Sequence, residues 1–163
     1  MKSAETWIKE LNLAEHPEGG FYKRTEESEL SITSEHGQRS LYTSIYFLLT
    51  PASPSHFHRL KSDEVWYYHD GQPLVVHCLF PDGRYEAIQL GKDVANGQRL
   101  HYTVPRGTIF GSSVPVDYGL VSCVVAPGFD FRDFELFTQA ALLKEYPQHQ
   151  EIIKELAYER LPD

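Results

Sequence analysis

Methionine occurs once and cysteine twice in the 163 residues. Cys78 and Cys123 each sit inside an apolar run, so the default reading is two buried free thiols in a reducing compartment; the sequence leaves a disulfide between them open. Long hydrophobic runs are also missing. None approaches the ~20 residues that a membrane helix needs, and Met1 to Glu10 lacks the apolar core of a signal peptide. Cytoplasmic is therefore the reading by elimination. Positive charge is scarce too, with 15 Lys and Arg against 23 Asp and Glu, a net charge of −8 and a pI near 5.4. A basic face for nucleic acid is not expected. The chain has no G-x-S-x-G, P-loop, G-x-G-x-x-G or C-x-x-C pattern, so serine or cysteine nucleophiles, nucleotide-triphosphate cleavage and Rossmann cofactors find no support. It also shows no internal repeat, low-complexity segment or second-domain boundary.

What is present points to a globular β protein. Hydrophobic residues make up 41% and aromatics 13%, with ten Tyr and nine Phe. A short helix is expected near the start, with Ser3 as its cap and Trp7, Ile8 and Leu11 as its apolar stripe. His16-Pro17-Glu18-Gly19-Gly20 reads as a turn, Phe21 to Thr25 as a strand, and Glu26 to Ser40 as an exposed loop, a loose hairpin or a lid. Strands follow at Leu41–Leu49, Leu74–Phe80, Tyr85–Leu90, Leu100–Val104 and Tyr118–Val125, separated by Gly and Pro turns. Short strands at this spacing suggest a sandwich or closed barrel. The period then changes. Thr138 is placed to cap a helix carrying Leu142, Leu143 and Tyr146, and Pro147 to open another with Ile152, Ile153, Leu156 and Ala157.

The chemistry concentrates between His56 and Gly71. On a strand, His56 and His58 share one face, and on the next run Glu64, Trp66 and Tyr68 share another. If the two runs pair, two imidazoles and a carboxylate converge beside aromatic rings. Such a trio moves protons, or holds a transition metal on one side with open positions opposite. Zn, Fe, Mn and Ni all accept these donors, so the sequence leaves open whether a metal is bound and which. Tyr46, Trp66 and Phe110 are candidate pocket walls, with core packing as the plain alternative. Asp63 competes with Glu64 as the inward acid. His77 and His101 read as locally hydrogen-bonded, or as substitutes for a missing ligand if they face inward. Arg39 and Arg106 read as surface salt links or as anion contacts.

The H-x-H, spacer, Glu, six residues, Gly pattern resembles the first motif of the cupin superfamily, and Pro105-Arg106-Gly107 resembles the core of the second. Three further strings resemble one uncharacterised subgroup, "cupin five": His16 to Tyr22, Tyr42 to Leu49 and Ala126 to Phe131. The resemblance covers roughly Leu11 to Leu136. It implies a single domain over 1–163, all-β with peripheral helices: a β jelly-roll barrel about residues 20–131, a short N-terminal helix and C-terminal helices about 138–160. It also implies a homodimer and a small-molecule ligand. Phe110 stands where the motif has a metal-binding His, so one of four usual ligands is missing. The leading expectation is isomerase- or epimerase-type chemistry on a sugar-like or carboxylated metabolite. In it His56 or His58 takes a proton, Glu64 orients the imidazole and Tyr68 donates. The alternatives are a non-catalytic binding or sensor protein, and a metal-dependent enzyme held by His56, His58 and Glu64.

Overall fold

Alternation along the strands dictates three apolar layers, and the computed structural model, which describes residues Met1–Asp163, has all three. Two antiparallel sheets face each other. The larger has the order β1 (Ala14–Glu15), β2 (Phe21–Glu27), β5 (Thr43–Leu49), β12 (Gly119–Ala126), β7 (Asp63–Gly71) and β10 (His101–Val104). The smaller has the order β13 (Glu135–Leu136), β6 (Ser55–Arg59), β11 (Ile109–Ser113), β8 (Leu74–Leu79) and β9 (Tyr85–Leu90). A separate hairpin pairs β3 (Ser31–Ser34) with β4 (Gly37–Ser40). This is a jelly-roll arrangement with peripheral helices. The sheets do not close into a continuous hydrogen-bonded barrel; a single parallel bridge, Leu90 to Arg99, joins their edges on one side.

The central layer fills with inward side chains: Phe47 and Leu49 on β5, Trp66 on β7, and Val121 and Cys123 on β12, against Val76, Cys78 and Phe110 from the smaller sheet. Both cysteines are buried free thiols. On the outside of the larger sheet, Leu48, Tyr118 and Leu120 receive helix α1 (Ala4–Glu10), capped by Ser3, whose hydroxyl accepts from the Thr6 amide. On the outside of the smaller sheet, Phe57, Leu79 and Ile109 pack under α2 (Gln139–Glu145) and α3 (Gln150–Leu156). Thr138 caps α2 as its position predicts, and Pro147 begins a short 3-10 turn before α3. No helix is long and apolar enough to cross a membrane.

One expected contact fails. The runs carrying His56–His58 and Glu64 do not pair, because β6 and β7 belong to opposite sheets. They face each other across the interior, so any site they share is built between layers and not along a ladder.

Candidate functional site

Three segments meet at one end of the interlayer space. The first is the turn His16–Gly20. The Gly19 amide donates to the His16 carbonyl at 2.9 Å and the His16 amide to the Gly20 carbonyl at 3.0 Å. The Glu18 amide donates to His16 Nδ1 at 3.1 Å. Gly19 holds φ +100°, and a Cβ there would lie 1.9 Å from the Pro54 carbonyl oxygen, so only glycine lets this turn approach β6 so closely. The turn carries Glu18 inward, where it is buried.

The second segment is β6. Arg59 faces Ile109 and His58 faces Phe110, but the next paired residues are Ser55 and Ser112. Three steps on β6 therefore match two on β11, which is a β-bulge. The extra residue reverses the alternation, so Ser55 and His58 point to the same side. Gly111 lies opposite the bulge, where a Cβ would come within 2.8 Å of the Ser55 carbonyl oxygen. Both inward residues grip one carboxyl: Ser55 Oγ donates to Glu18 Oε1 at 3.1 Å, and His58 Nε2 lies 3.0 Å from Glu18 Oε2.

The bulge also corrects the expectation for His56, whose side chain does not join that of His58. Its ring stacks on Tyr158 with centroids 3.7 Å apart, and its Nδ1 donates to the Glu18 backbone carbonyl at 2.8 Å. The third segment, β7, does turn Glu64, Trp66 and Tyr68 to one face, but at about 3.3 Å per residue they lie at very different depths. Glu64 is buried at the same end as His58, and Asp63, exposed, accepts instead from the Arg106 amide at 2.8 Å. Trp66 is fully buried in the middle of the core, its Nε1 without a partner. Tyr68 sits about 13 Å along the strand from Glu64, donating its hydroxyl to the Gly71 carbonyl at 2.6 Å. It is too far away to serve as the proton donor expected beside His58.

Among the other candidates, Tyr46 alternates onto the outer face of β5 and packs under α1, so it lines no interior pocket. Phe110 is buried beside His58, ring centroids 4.2 Å apart, and backs the imidazole. His77 bonds to the Tyr85 and Ser113 hydroxyls, and His101 is exposed at the edge strand; neither substitutes for an inward ligand. Arg39 is buried in a two-pronged bond to Asp133, at 2.8 and 2.9 Å, which ties down the β3–β4 hairpin.

His16, Glu18, His58, Glu64 and Cys123 line a cavity of about 550 Å3. Its walls are Tyr22, Ile45, Leu60, Val125, Phe129 and Phe131, and Arg24, Glu27 and Asp130 also border it. The Ala126–Pro127 bond, which is cis, precedes the turn that supplies Phe129, Asp130 and Phe131. His16 is ringed by aromatics, with Tyr22 edge-on at 4.6 Å and Phe131 stacked at 6.1 Å. Sequence reasoning read His16 and Glu18 only as parts of a turn. Their one signal was the family-like string His16 to Tyr22.

The geometry fixes proton positions. His58 Nδ1 lies 2.7 Å from the His56 carbonyl oxygen, which only accepts, so Nδ1 carries a hydrogen. Nε2 then faces Glu18 Oε2 with room for one shared proton. Burial pushes the His58 imidazolium down to about 3, and burial together with the nearby Glu64 charge pushes the Glu18 carboxyl well up. Both shifts favour a carboxylic acid donating to a neutral imidazole over an ion pair. Burial also lowers His16 to about 4 and raises Glu64 to about 7, the latter restrained by a hydrogen bond from the Cys123 thiol.

The cupin motif implies a metal, and these donors do not fit one. His58 spends both ring nitrogens on Glu18 and His56, the His56 ring faces Tyr158, and Phe110 presents carbon where the motif has an imidazole. No three His, Cys, Asp or Glu side chains stand together as a metal-holding group. The ligand set His56, His58 and Glu64 is not assembled.

The sequence matches the family described as "Cupin superfamily (DUF985)" over residues 5–137. It is similar to a hypothetical protein from Leishmania major, 50% identical, with a TM-score of 0.91 over 96% of this chain and 99% of that one. A solved structure from Shewanella oneidensis is 46% identical, with a TM-score of 0.92 over 98% and 100%. An uncharacterized protein of Saccharomyces cerevisiae is 32% identical over 148 residues, 80% of this chain and 73% of that one. Oxalate decarboxylase from Bacillus subtilis shares only the fold, at 14% identity and a TM-score of 0.56 over 93% of this chain and 40% of that one. Facing antiparallel sheets, an interlayer cavity and a family match across most of the length agree: the chain belongs to the cupin superfamily, in its DUF985 family.

Proposed function

We propose that the protein binds a small, neutral, hydroxylated metabolite of sugar-like character in this cavity and moves protons on it, as an isomerase or epimerase does. The observation that carries the reading is the Glu18–His58 pair, buried and joined at 3.0 Å, in a cavity that also holds Glu64. A carboxyl titrating at about 7 is half ionised at neutral pH, where a general base works best. In this scheme the Glu64 carboxylate takes a proton from a carbon next to a carbonyl. The Glu18–His58 pair then returns its shared proton to the substrate. Tyr68, the acid expected from sequence, lies too far along β7 for this role.

Charge favours a neutral ligand over a carboxylated one. Glu27, Asp130 and the half-ionised Glu64 border the cavity against Arg24 as the sole Lys or Arg, so its charge balance is negative even with Glu18 protonated. Phe129, Phe131 and Tyr22 offer faces for the apolar side of a sugar ring. Fold alone fixes none of this, because one architecture hosts many chemistries.

The rival is a binding protein without turnover. A thermal-shift screen of sugars, polyols and hydroxy acids on wild type and His58→Ala identifies cavity ligands. Hits are then incubated in D2O and weighed by mass spectrometry. Deuterium entering a carbon position, lost in His58→Ala, supports proton transfer. Ligands that bind and return unlabelled overturn the enzymatic reading and leave the binding one.

A further inference from the structure

The imidazole that the bulge turns away from the cavity has its own arrangement. The His56 backbone amide and ring Nδ1 both donate to one acceptor, the Glu18 carbonyl oxygen, at 2.6 and 2.8 Å. The far face of the ring is covered by Tyr158, nearly parallel at 16° and 3.7 Å. Tyr158 in turn donates its hydroxyl to the Pro17 carbonyl at 3.1 Å, and it is held by the residues opening α2: its carbonyl accepts from the Gln139 amide at 2.8 Å, and it bridges to Thr138. Two consecutive carbonyls of the Glu18 turn, at Pro17 and Glu18, are thus gripped from the C-terminal segment and from β6. Without this grip the turn backbone keeps only its internal bonds and the Gly20 amide bond to Ser53 Oγ at 2.9 Å, and the Glu18 side chain keeps its bonds to Ser55 and His58.

We infer that His56 and Tyr158 are positioning residues, forming a clamp that holds the Glu18 backbone so that its carboxyl meets His58 Nε2. Neither lines the cavity; both act through Glu18. This deepens the acid–base reading, on which it rests, by naming what aligns the pair. It also gives the two histidines of the H-x-H string different tasks: one ring binds the carboxyl, the other holds the backbone that carries it. Tyr158 lies beyond the family match, which ends at residue 137, so the clamp joins a segment outside that match to a turn within it.

The test uses the full chain labelled with 15N-histidine and needs no substrate. In wild type, long-range 15N–1H spectra at neutral pH should show His58 as one tautomer, Nδ1 protonated and Nε2 hydrogen-bonded. His56→Phe keeps a ring for Tyr158 to stack on and keeps the backbone amide bond to Glu18, but removes the ring donor. It should shift the His58 Nε2 resonance toward that of an unbonded imidazole or average the tautomers. His56→Asn places an amide N–H near Nδ1 and should restore the wild-type signal. Tyr158→Ala removes the outer half of the clamp without touching β6, should disturb His58 in the same direction, and serves if His56→Phe fails to fold. An unchanged His58 spectrum in His56→Phe, or in Tyr158→Ala if that alone folds, overturns the clamp. So does His56→Asn as disturbed as His56→Phe. A disturbed spectrum in a protein whose wild type exchanges no ligand hydrogen keeps the clamp and removes the acid–base reading.

Discussion

Removing the Glu18 side chain would leave the His58 Nε2 lone pair buried with no partner, while Nδ1 stays committed to the His56 carbonyl. An orphaned buried acceptor costs about 1–3 kcal/mol, so Glu18→Ala should lower the urea unfolding free energy at pH 7 by about that much. Glu64 gives a pH-dependent counterpart. Its carboxyl titrates at about 7 in the folded chain, well above the 4.5 of a free glutamate, so the folded state holds the proton more tightly. The stability this contributes is fully present below pH 4.5 and is lost as pH rises through 7. Glu64→Gln stays neutral throughout. Its stability relative to wild type should therefore climb between about pH 4.5 and pH 7 and level off above that, each pH unit between those two values being worth at most about 1.4 kcal/mol, as read from urea unfolding at pH 4.5, 7 and 8. A flat difference would mean that Glu64 is solvated. Sequence alone put His58 inward together with His56, left Glu64 competing with Asp63 as the inward acid, and passed over Glu18. A glutamate between proline and two glycines reads as a surface turn, and only the approach of that turn to β6 buries it.

The elements most legible in the chain were those whose period and punctuation agree: β5, β8, β9 and the capped helices α1 and α2. β11 was not legible. Ile109 to Ser113 contains a glycine and two serines, and it forms a strand because β6 and β8 flank it, not because its residues prefer one. With β11 unseen, the bulge in β6 was unseen too, and strict alternation then put His56 and His58 together. The one local clue was Gly111 directly after the apolar pair Ile109 and Phe110, since a lone glycine in a strand often marks a bulge. Gly111→Ala tests that reading. Its Cβ would overlap the Ser55 carbonyl at 2.8 Å, so either the bulge shifts or the strands part. We expect a loss of about 1–3 kcal/mol in unfolding free energy, together with changed His58 and Ser55 resonances. A variant as stable as wild type with those signals intact would contradict the bulge.

At the scale of the whole molecule, two sheets that do not close into one barrel leave an interlayer gap. The core residues fill most of it, and the polar groups of the cavity keep one end open. Alternating strands and helices at both ends made this layered architecture readable from the chain. The cavity was only half readable, because its residues come from a turn, a bulged strand and the opposite sheet, far apart in sequence. Glu18 and His58 are positioned to share one proton, and we propose that the pair transfers it to the ligand of this cavity. That transfer is tested most directly by the rate at which a cavity-binding sugar or polyol takes up carbon-bound deuterium in D2O, in wild type against Glu18→Gln. Wild type should take up deuterium, and the variant should lose about 10²–10⁴-fold of that rate, the usual contribution of a general acid or base. Equal uptake in both proteins would contradict it.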